Sequence, residues 1–232
     1  MTKSVVEKSD LSRSRRKESQ SPKANLLIQV AQKGADKGKI ARTVIAEPEL
    51  LATVMAGLEA EKAAVRFGCA GVLLALSELK PELVYPSLDR FAGLLNSENS
   101  ILQWVAIRIL ANLAKVDSDN RLEALFDRYF APITGPAMIT AAQVMAGGAK
   151  IARAKPRLAG PIAAEILKVA RAHYQTEACR NVAIGHAVKA FDEFIELMPA
   201  PGPVERFVRK QLHNTRPATR KKAERFLKKH GE

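Results

Sequence analysis

Apolar residues recur along most of this chain with the spacing of one face of an α-helix. Leu50, Leu51, Val54, Met55 and Leu58 fall at positions i, i+1, i+4, i+5 and i+8. The same kind of stripe returns twice further on, in Val65, Cys69, Val72, Leu73 and Leu76 and in Leu122, Leu125, Phe126, Tyr129 and Phe130. No stretch sustains the period of two that a half-buried β-strand has. The pattern therefore predicts an all-α fold.

Residues that favour helix starts stand at the edges of these stripes. A proline fits the first turn of a helix, where its missing N–H leaves no bond unmade, and three prolines stand at such places: Pro48, Pro81 and Pro156. The spacing of a capping box occurs at Ser100 with Gln103 and at Asn120 with Glu123. These signals predict where successive helices begin.

The predicted helices come in pairs that repeat along the chain. Leucines that open the first helices are 33, 39 and 36 residues apart, at Leu50, Leu83, Leu122 and Leu158. We predict five helical pairs, after a leading cap helix over 25–44, at about 48–80, 83–115, 120–153, 157–197 and 203–230. Each pair alone exposes an apolar face that stacking buries, so the repeat predicts an α-solenoid with a curved inner surface.

Three segments of the second helices carry a family resemblance. Residues 65–70, 179–184 and 219–223 resemble the start of a HEAT inner helix, in which an apolar residue and an arginine precede a small residue. The resemblance covers roughly 44–230 and implies an armadillo-type superhelix whose second helices line the concave side. It also implies that Arg66, Arg180 and Arg220 form a structural ladder with carboxylates of the adjacent turn. Gln103 and Thr140 depart from the pattern, so this ladder is expected to be incomplete.

Composition and charge separate the two ends of the chain from its middle. Aromatic residues make up only 5% of the sequence, so the core must consist of small and aliphatic side chains. Most of the net charge of +13 lies at the ends, with seven basic and three acidic residues in 1–24 and ten basic and three acidic residues in 203–232. Residues 1–24 have few large aliphatic side chains. They are predicted to be a disordered basic tail, followed by the repeat domain at 25–232.

Motifs for metal, cofactor or membrane binding are weak in this sequence. Cys69 and Cys179 lie far apart in apolar helical stripes, and His186 adds only one more ligand on the helix of Cys179, short of the four that zinc prefers. We therefore expect no metal and no cofactor. Without an apolar leader or a run of about 18 apolar residues, we expect a cytoplasmic protein, nuclear if the source is a eukaryote, that binds no membrane.

Enzymatic interpretations find little support in the residues. Residues 34–39 are one residue short of a phosphate-binding loop, with Ile40 where serine or threonine should stand, so a turn between helices is the better interpretation. HEAT-like DNA glycosylases and phycobilin lyases are enzymatic alternatives. Base removal needs a carboxylate in a pocket lined by aromatics, and helix capping accounts for Asp117 and Asp119. Gly147 and Gly148 indicate a close helix approach or, alternatively, a ligand near the backbone. We predict no catalytic residues.

The second helices offer candidates for binding a partner. Trp104, Arg108 and Asn112 fall on one line of a helix, which resembles the Trp and Asn positions with which armadillo arrays bind extended peptides. Other candidates on second helices are Arg66, Lys150, Arg180, Asn181 and Lys189. We predict a non-enzymatic scaffold that binds an unidentified protein or peptide on the concave face. The alternative for Trp104 is a half-buried position between repeats, and full burial of Trp104 and Asn112 would argue against the groove.

A nucleic-acid-binding module is the alternative function. The basic C-terminal residues would then contact phosphates without reading bases, and binding would weaken with salt. The candidates are Arg206, Arg209, Lys210, Arg216, Arg220, Lys221, Lys222, Arg225, Lys228 and Lys229. Both functions are compatible, since basic ends can steer a scaffold to an anionic partner.

Overall fold

The structure is a computed structural model that describes residues 22–230. Helices joined by turns make up this part of the chain, and no strand occurs in it, so the all-α prediction is confirmed. The predicted disordered tail lies outside the described residues, except for residues 22–24, which belong to the first helix. Nowhere in 22–230 does a helix combine the length and apolar character needed to cross a membrane. The described residues divide into two compact units, 22–80 (unit 1) and 81–230 (unit 2).

Unit 1 begins with two helices where a single cap helix over 25–44 was predicted. They are α1 (Pro22–Ala31) and α2 (Lys37–Ala46). Gly34 separates them because its φ of 78° belongs to the left-handed region that ends helices. The carboxylate of Asp36 then caps α2 by accepting the N–H of Lys39 at 2.9 Å. The prediction of one cap helix is wrong, and the prediction of a turn in residues 34–39 is confirmed.

The rest of unit 1 is a helical pair. Its first helix is α3 (Leu51–Ala56), flanked by 3₁₀ turns at Pro48–Leu50 and Gly57–Glu59, and its second helix is α4 (Ala63–Leu79). Helix α4 packs on α1 and α2. At Gly68 a Cβ atom would overlap the backbone carbonyl of Val30, so only glycine permits this approach. Burial beside this contact raises the pKa of Cys69 to about 11.

Unit 2 contains four further pairs near their predicted positions. Its second helices are continuous: α7 (Ser100–Leu113), α9 (Met138–Ala154), α11 (Glu177–Asp192) and α13 (Pro217–His230). The first helices are α5 (Pro81–Val84) with α6 (Leu88–Leu94), α8 (Phe126–Phe130), α10 (Ala159–Leu167) and α12 (Gly202–Lys210). Short 3₁₀ segments extend them at Tyr85–Ser87, Glu123–Leu125, Ala131–Thr134, Pro156–Leu158, Lys168–Arg171 and Gln211–His213, and another, Ile195–Leu197, follows α11.

Side-chain caps start two of the second helices. The amide oxygen of Asn99 accepts the N–H groups of Ile101 and Leu102, so the predicted cap at Ser100 is one residue too late. The hydroxyl of Thr176 accepts the N–H of Cys179 at 3.1 Å and caps α11. The other predicted box, at Asn120, is also wrong, because its amide oxygen accepts from Lys155 at 2.8 Å.

The second helices of unit 2 pack side by side in sequence order. Helix α7 contacts α9, α9 contacts α11, and α11 contacts α13. We call these four helices the second-helix layer and each contact between neighbours a seam. Gly147 explains the closeness of the first seam, because a Cβ there would overlap the Tyr129 hydroxyl and lie 3.2 Å from the Ala111 Cβ. The interpretation of Gly147 as a close helix approach is confirmed.

Candidate functional site

Several of the predicted partner-binding residues lie in the α7–α9 seam. The indole N–H of Trp104 donates to the Thr140 hydroxyl at 2.9 Å, and that hydroxyl donates to the Gln103 amide oxygen at 3.4 Å. The Gln103 side chain also donates to the carbonyl of Leu95 at 2.7 Å. Trp104 is half-buried, which matches the alternative of a tryptophan held between two repeats.

Asn112 lies inside the same seam rather than on its surface. It is only 5% exposed, and its amide oxygen accepts from the ammonium of Lys150 at 2.8 Å. The prediction that Asn112 lines an open groove is therefore wrong, because the polar side chain serves helix packing. Lys150 is half-buried by this bond, whereas Arg108, one turn earlier on α7, is exposed.

A buried ion pair closes the C-terminal end of the α7–α9 seam. The carboxylate of Asp117, with 0% of its side chain exposed, lies 3.0 Å from the Lys155 ammonium. It also accepts from the Tyr85 hydroxyl at 2.8 Å and from the N–H groups of Arg121 and Leu122. Burial raises the pKa of Asp117, but the bonds from Lys155, Tyr85 and Leu122 outweigh it, so the pKa lies below its ordinary value. Asp117 thus binds the turn before the 3₁₀ segment Glu123–Leu125 and does not cap a helix, so the prediction of helix capping by Asp117 is wrong.

Two arginines near the starts of second helices donate hydrogen bonds to carbonyls of the turn that precedes their own helix. Arg66 donates from Nη1 to the carbonyl of Ala60 at 2.9 Å, and Arg220 donates to the carbonyls of Asn214 and Thr215 at 2.7 and 3.2 Å. The expected ladder with carboxylates is wrong for these two residues, because their partners are backbone carbonyls five and six residues earlier in the sequence. Arg180 lies half-buried in the first turn of α11.

Asn181 connects α11 to the turn before α13. Its amide donates to the Thr215 hydroxyl at 2.9 Å and accepts from the Asn214 amide at 3.0 Å. The hydroxyl of Thr219 donates to its backbone carbonyl at 2.8 Å. Asn181 is 8% exposed, so its prediction as a partner-binding residue is wrong for the same reason as that of Asn112.

The C-terminal halves of α11 and α13 enclose a groove of about 370 Å³. We call it the basic groove and define it by its lining residues, Val188, Lys189, Asp192, Lys222, Arg225, Phe226 and Lys229. Lys189 and Arg225 are exposed on opposite helices. The Lys222 ammonium donates to the Gly185 carbonyl at 2.9 Å. At the end of the groove, Lys229 lies 3.0 Å from Asp192.

Positive charge accumulates around Lys222. Burial lowers its pKa, and the charges of Arg216, Lys189 and Arg225 lower it further. The pKa of His186 is lowered in the same way, first by burial and then by Lys222, Lys189 and Arg216. Burial is the larger cause of both pKa shifts, and the neighbouring cations act in the same direction, because each disfavours a further positive charge.

The carboxylate of Asp192 neutralises little of the positive charge around Lys222. Burial raises its pKa, but hydrogen bonds from His230 and Lys229 outweigh that effect and leave the pKa below its ordinary value. The His230 ring nitrogen lies 2.7 Å from the Asp192 carboxylate. The carboxylate is therefore held at the end of the groove by two basic side chains.

The predicted phosphate-binding residues separate into different surroundings. Lys222, Arg225 and Lys229 line the basic groove. The exposed residues outside it are Arg206, Arg209 and Lys210 on α12 and Lys221 and Lys228 on α13. No feature of the sequence indicated that Lys189 lies opposite α13. The floor residues Val188 and Phe226 were not among the predicted binding residues. The spacing of Lys222, Arg225 and Lys229 at i, i+3 and i+7 was a signal for a basic helix face.

Comparison with known proteins gives a weak similarity to a solved structure. No family model and no curated protein matches this chain. Among solved structures, the chain is similar to the crystal structure of an engineered protein from the Northeast Structural Genomics Consortium. That similarity has a TM-score of 0.49 at 16% identity and covers 88% of this chain and 86% of the other. Within residues 22–230, no group of three or more His, Cys, Asp or Glu residues is placed to hold a metal ion.

Proposed function

We propose that this protein is a non-enzymatic scaffold, a HEAT-like α-solenoid that binds a protein or peptide along the concave face of its second helices. The observation that carries the proposal is the second-helix layer of unit 2, in which neighbouring helices pack in sequence order. Repeat arrays present extended binding surfaces in this way, since each unit contacts only its neighbours. We propose that the partner is met in the cytoplasm, or in the nucleus if the source is a eukaryote.

The charge of the layer favours an acidic partner. Helices α7 and α9 contain the basic residues Arg108, Lys150 and Arg153 and no acidic residue. Lys189 of α11 and Arg225 of α13 continue the positive charge on the exposed surface. Complementary charge across an interface speeds encounter and suppresses wrong partners.

Nucleic-acid binding is a second candidate, supported by a different surface. Arg206, Arg209 and Lys210 are exposed on the first helix α12, with Lys221 and Lys228 exposed on α13. Such residues would bind phosphates, and binding would weaken steeply with salt. Within 22–230 every aromatic side chain is at least partly buried, so base stacking is not expected to contribute.

Two triple variants with equal charge change separate the candidates. The first replaces exposed cations of the second-helix layer: Arg108→Glu, Lys189→Glu and Arg225→Glu. The second replaces exposed cations of α12: Arg206→Glu, Arg209→Glu and Lys210→Glu. Each tagged protein is purified from its native cells with and without nuclease, and the bound proteins are identified by mass spectrometry.

The scaffold proposal expects one stoichiometric protein partner that survives nuclease. The layer variant should lose that partner, while the α12 variant should retain it. If nuclease removes all bound proteins and only the α12 variant loses them, the nucleic-acid candidate replaces the scaffold. A partner retained by the layer variant would contradict the proposed binding face.

A further inference from the structure

The basic groove combines a charged rim with an apolar floor. Lys222, Arg225 and Lys229 lie on one face of α13 and are opposed across the seam by Lys189 of α11. Between these rims lie Val188, which is 1% exposed, and Phe226, which is 2% exposed. Because both floor residues are fixed in the core, the groove is held in place by packing rather than by loops.

The net positive charge of the groove favours binding of an anionic ligand. The acidic residue among its lining residues is Asp192, which already accepts from Lys229 and His230. Lys189, Lys222 and Arg225 line the groove together, and like charges so placed repel. Carboxylates placed between Lys189 and Arg225 would relieve that repulsion.

We propose that the basic groove binds an acidic peptide segment, with carboxylates bonded to Lys189 and Arg225. This inference rests on the proposed scaffold function, and it specifies where the partner binds and what chemistry its binding segment has.

Size and surface chemistry favour a peptide over a nucleic acid. A groove of about 370 Å³ holds a few side chains, at the lower end of the volumes of small-ligand pockets. A nucleic-acid duplex is too wide to enter it, and would contact only its rim. A single strand gains much of its affinity from bases stacked on aromatic faces, and Phe226 is buried too deeply to offer one.

The test measures direct binding with defined probes. A fluorescein-labelled peptide of alternating glutamate and leucine is titrated with the full-length protein, and fluorescence anisotropy gives the Kd. The same peptide with glutamine in place of glutamate and a labelled oligothymidine of equal charge are titrated in parallel. The groove variant is Lys189→Glu with Arg225→Glu, and the matched control is Arg206→Glu with Arg209→Glu. Circular dichroism and thermal unfolding confirm that both variants are folded.

The groove variant is expected to weaken binding of the glutamate peptide at least about tenfold, because two attractive contacts become repulsive. The control is expected to change the Kd less than about twofold, and the glutamine peptide is expected to bind weakly to the unmodified protein. Equal losses in both variants, no binding of the glutamate peptide, or tighter binding of oligothymidine at the same residues would overturn the proposal.

The binding measurements distinguish failure of the groove proposal from failure of the scaffold proposal. If the glutamate peptide does not bind, and the native partner is lost in the layer variant but retained by the groove variant, the scaffold stands and the groove assignment falls. If peptide and native partner are both unaffected by the variants, both proposals fall.

Discussion

The α7–α9 seam and the α11–α13 seam have the same helix arrangement but treat their polar side chains differently. In the first, Lys150 bonds to the side chain of the buried Asn112, and a buried Asp117–Lys155 pair closes the end. In the second, Lys222 bonds to a backbone carbonyl, and the pair at the end, between Asp192 and Lys229, is partly exposed. The first seam uses its polar groups for packing, whereas the second keeps cations at the surface.

One residue on the facing helix explains much of this difference. Asn112, 13 residues after the cap Asn99 of α7, offers Lys150 an amide oxygen inside the seam. The residue at the same distance from the cap Thr176 of α11 is Lys189, which is exposed. At this position the second seam therefore has a cation where the first has a neutral acceptor. The comparison indicates that one seam of the layer serves stability and the other is available for binding.

The largest expected difference concerns the ion pairs that end the two seams. Asp117→Ala should lower the free energy of unfolding by about 3–5 kcal/mol, because it leaves the buried ammonium of Lys155 without its carboxylate and removes the bonds to the N–H groups of Arg121 and Leu122. Asp192→Ala, at a side chain that is 40% exposed, should cost at most about 1 kcal/mol. Urea denaturation followed by circular dichroism measures both, and equal losses would contradict the distinction between the seams.

Glycine replacements test the close approach of α9 to Tyr129 of α8 and Ala111 of α7. Gly147→Ala should destabilise by about 1–3 kcal/mol, since the new methyl group overlaps the Tyr129 hydroxyl. Gly160→Ala in α10 is the matched control, because nothing lies within 4 Å of its Cβ position. That change should be neutral or stabilise by up to about 1 kcal/mol. Thermal unfolding of both variants gives the comparison, and a tolerated alanine at Gly147 would mean that the seam is loose.

Neutralising one cation in each seam should give effects of opposite sign. Lys150→Met should destabilise by about 1–2 kcal/mol, because it removes a charge-assisted bond to Asn112. Arg225→Gln should stabilise by a few tenths of a kcal/mol at low salt, because it removes a charge that repels Lys222. That gain should vanish at high salt, where such repulsion is screened. Urea denaturation at two salt concentrations measures both, and a salt-independent loss at Arg225 would contradict repulsion in the groove.

The smallest expected effect is a pH dependence from His186. Its pKa is lowered in the folded protein, so the unfolded chain, with a pKa near 6.5, binds the proton more readily. Stability should therefore be highest above that value and should fall as the pH drops through it. His186→Gln should flatten this part of the stability profile. An NMR titration of the imidazole checks the direction, and a midpoint above 6.5 would contradict the positive surroundings.

The sequence was sufficient for the helices but not for the seams. Periodicity and helix starts located the helical pairs of 22–230, because both are local properties. Asn112 and Asn181 looked like exposed polar residues, yet each is buried by a partner more than 30 residues away. Which helices face each other, and in what register, decides such contacts, and no short stretch of sequence contains that information.

The excess of basic residues near the C-terminus was likewise evident from the sequence. How these residues are distributed between the basic groove and the rest of the surface was not. Lys222 and Arg225 belong to the groove with Lys189, whereas Arg206 and Arg209 belong to another helix. The i, i+3 spacing of the first two on α13 places them on one face of that helix. The partner across the seam, and the floor of Val188 and Phe226, required the packing of α11 on α13.

The most direct test of the difference between the seams is a map of where an acidic peptide binds. The backbone amide signals of isotope-labelled protein are followed by NMR while the peptide of alternating glutamate and leucine is added. We expect the amide chemical shifts to change mainly in α11 and α13 around Lys189 and Arg225, and to change little in α7 and α9. Shifts centred on Trp104 and Lys150, or on the exposed arginines of α12, would contradict it.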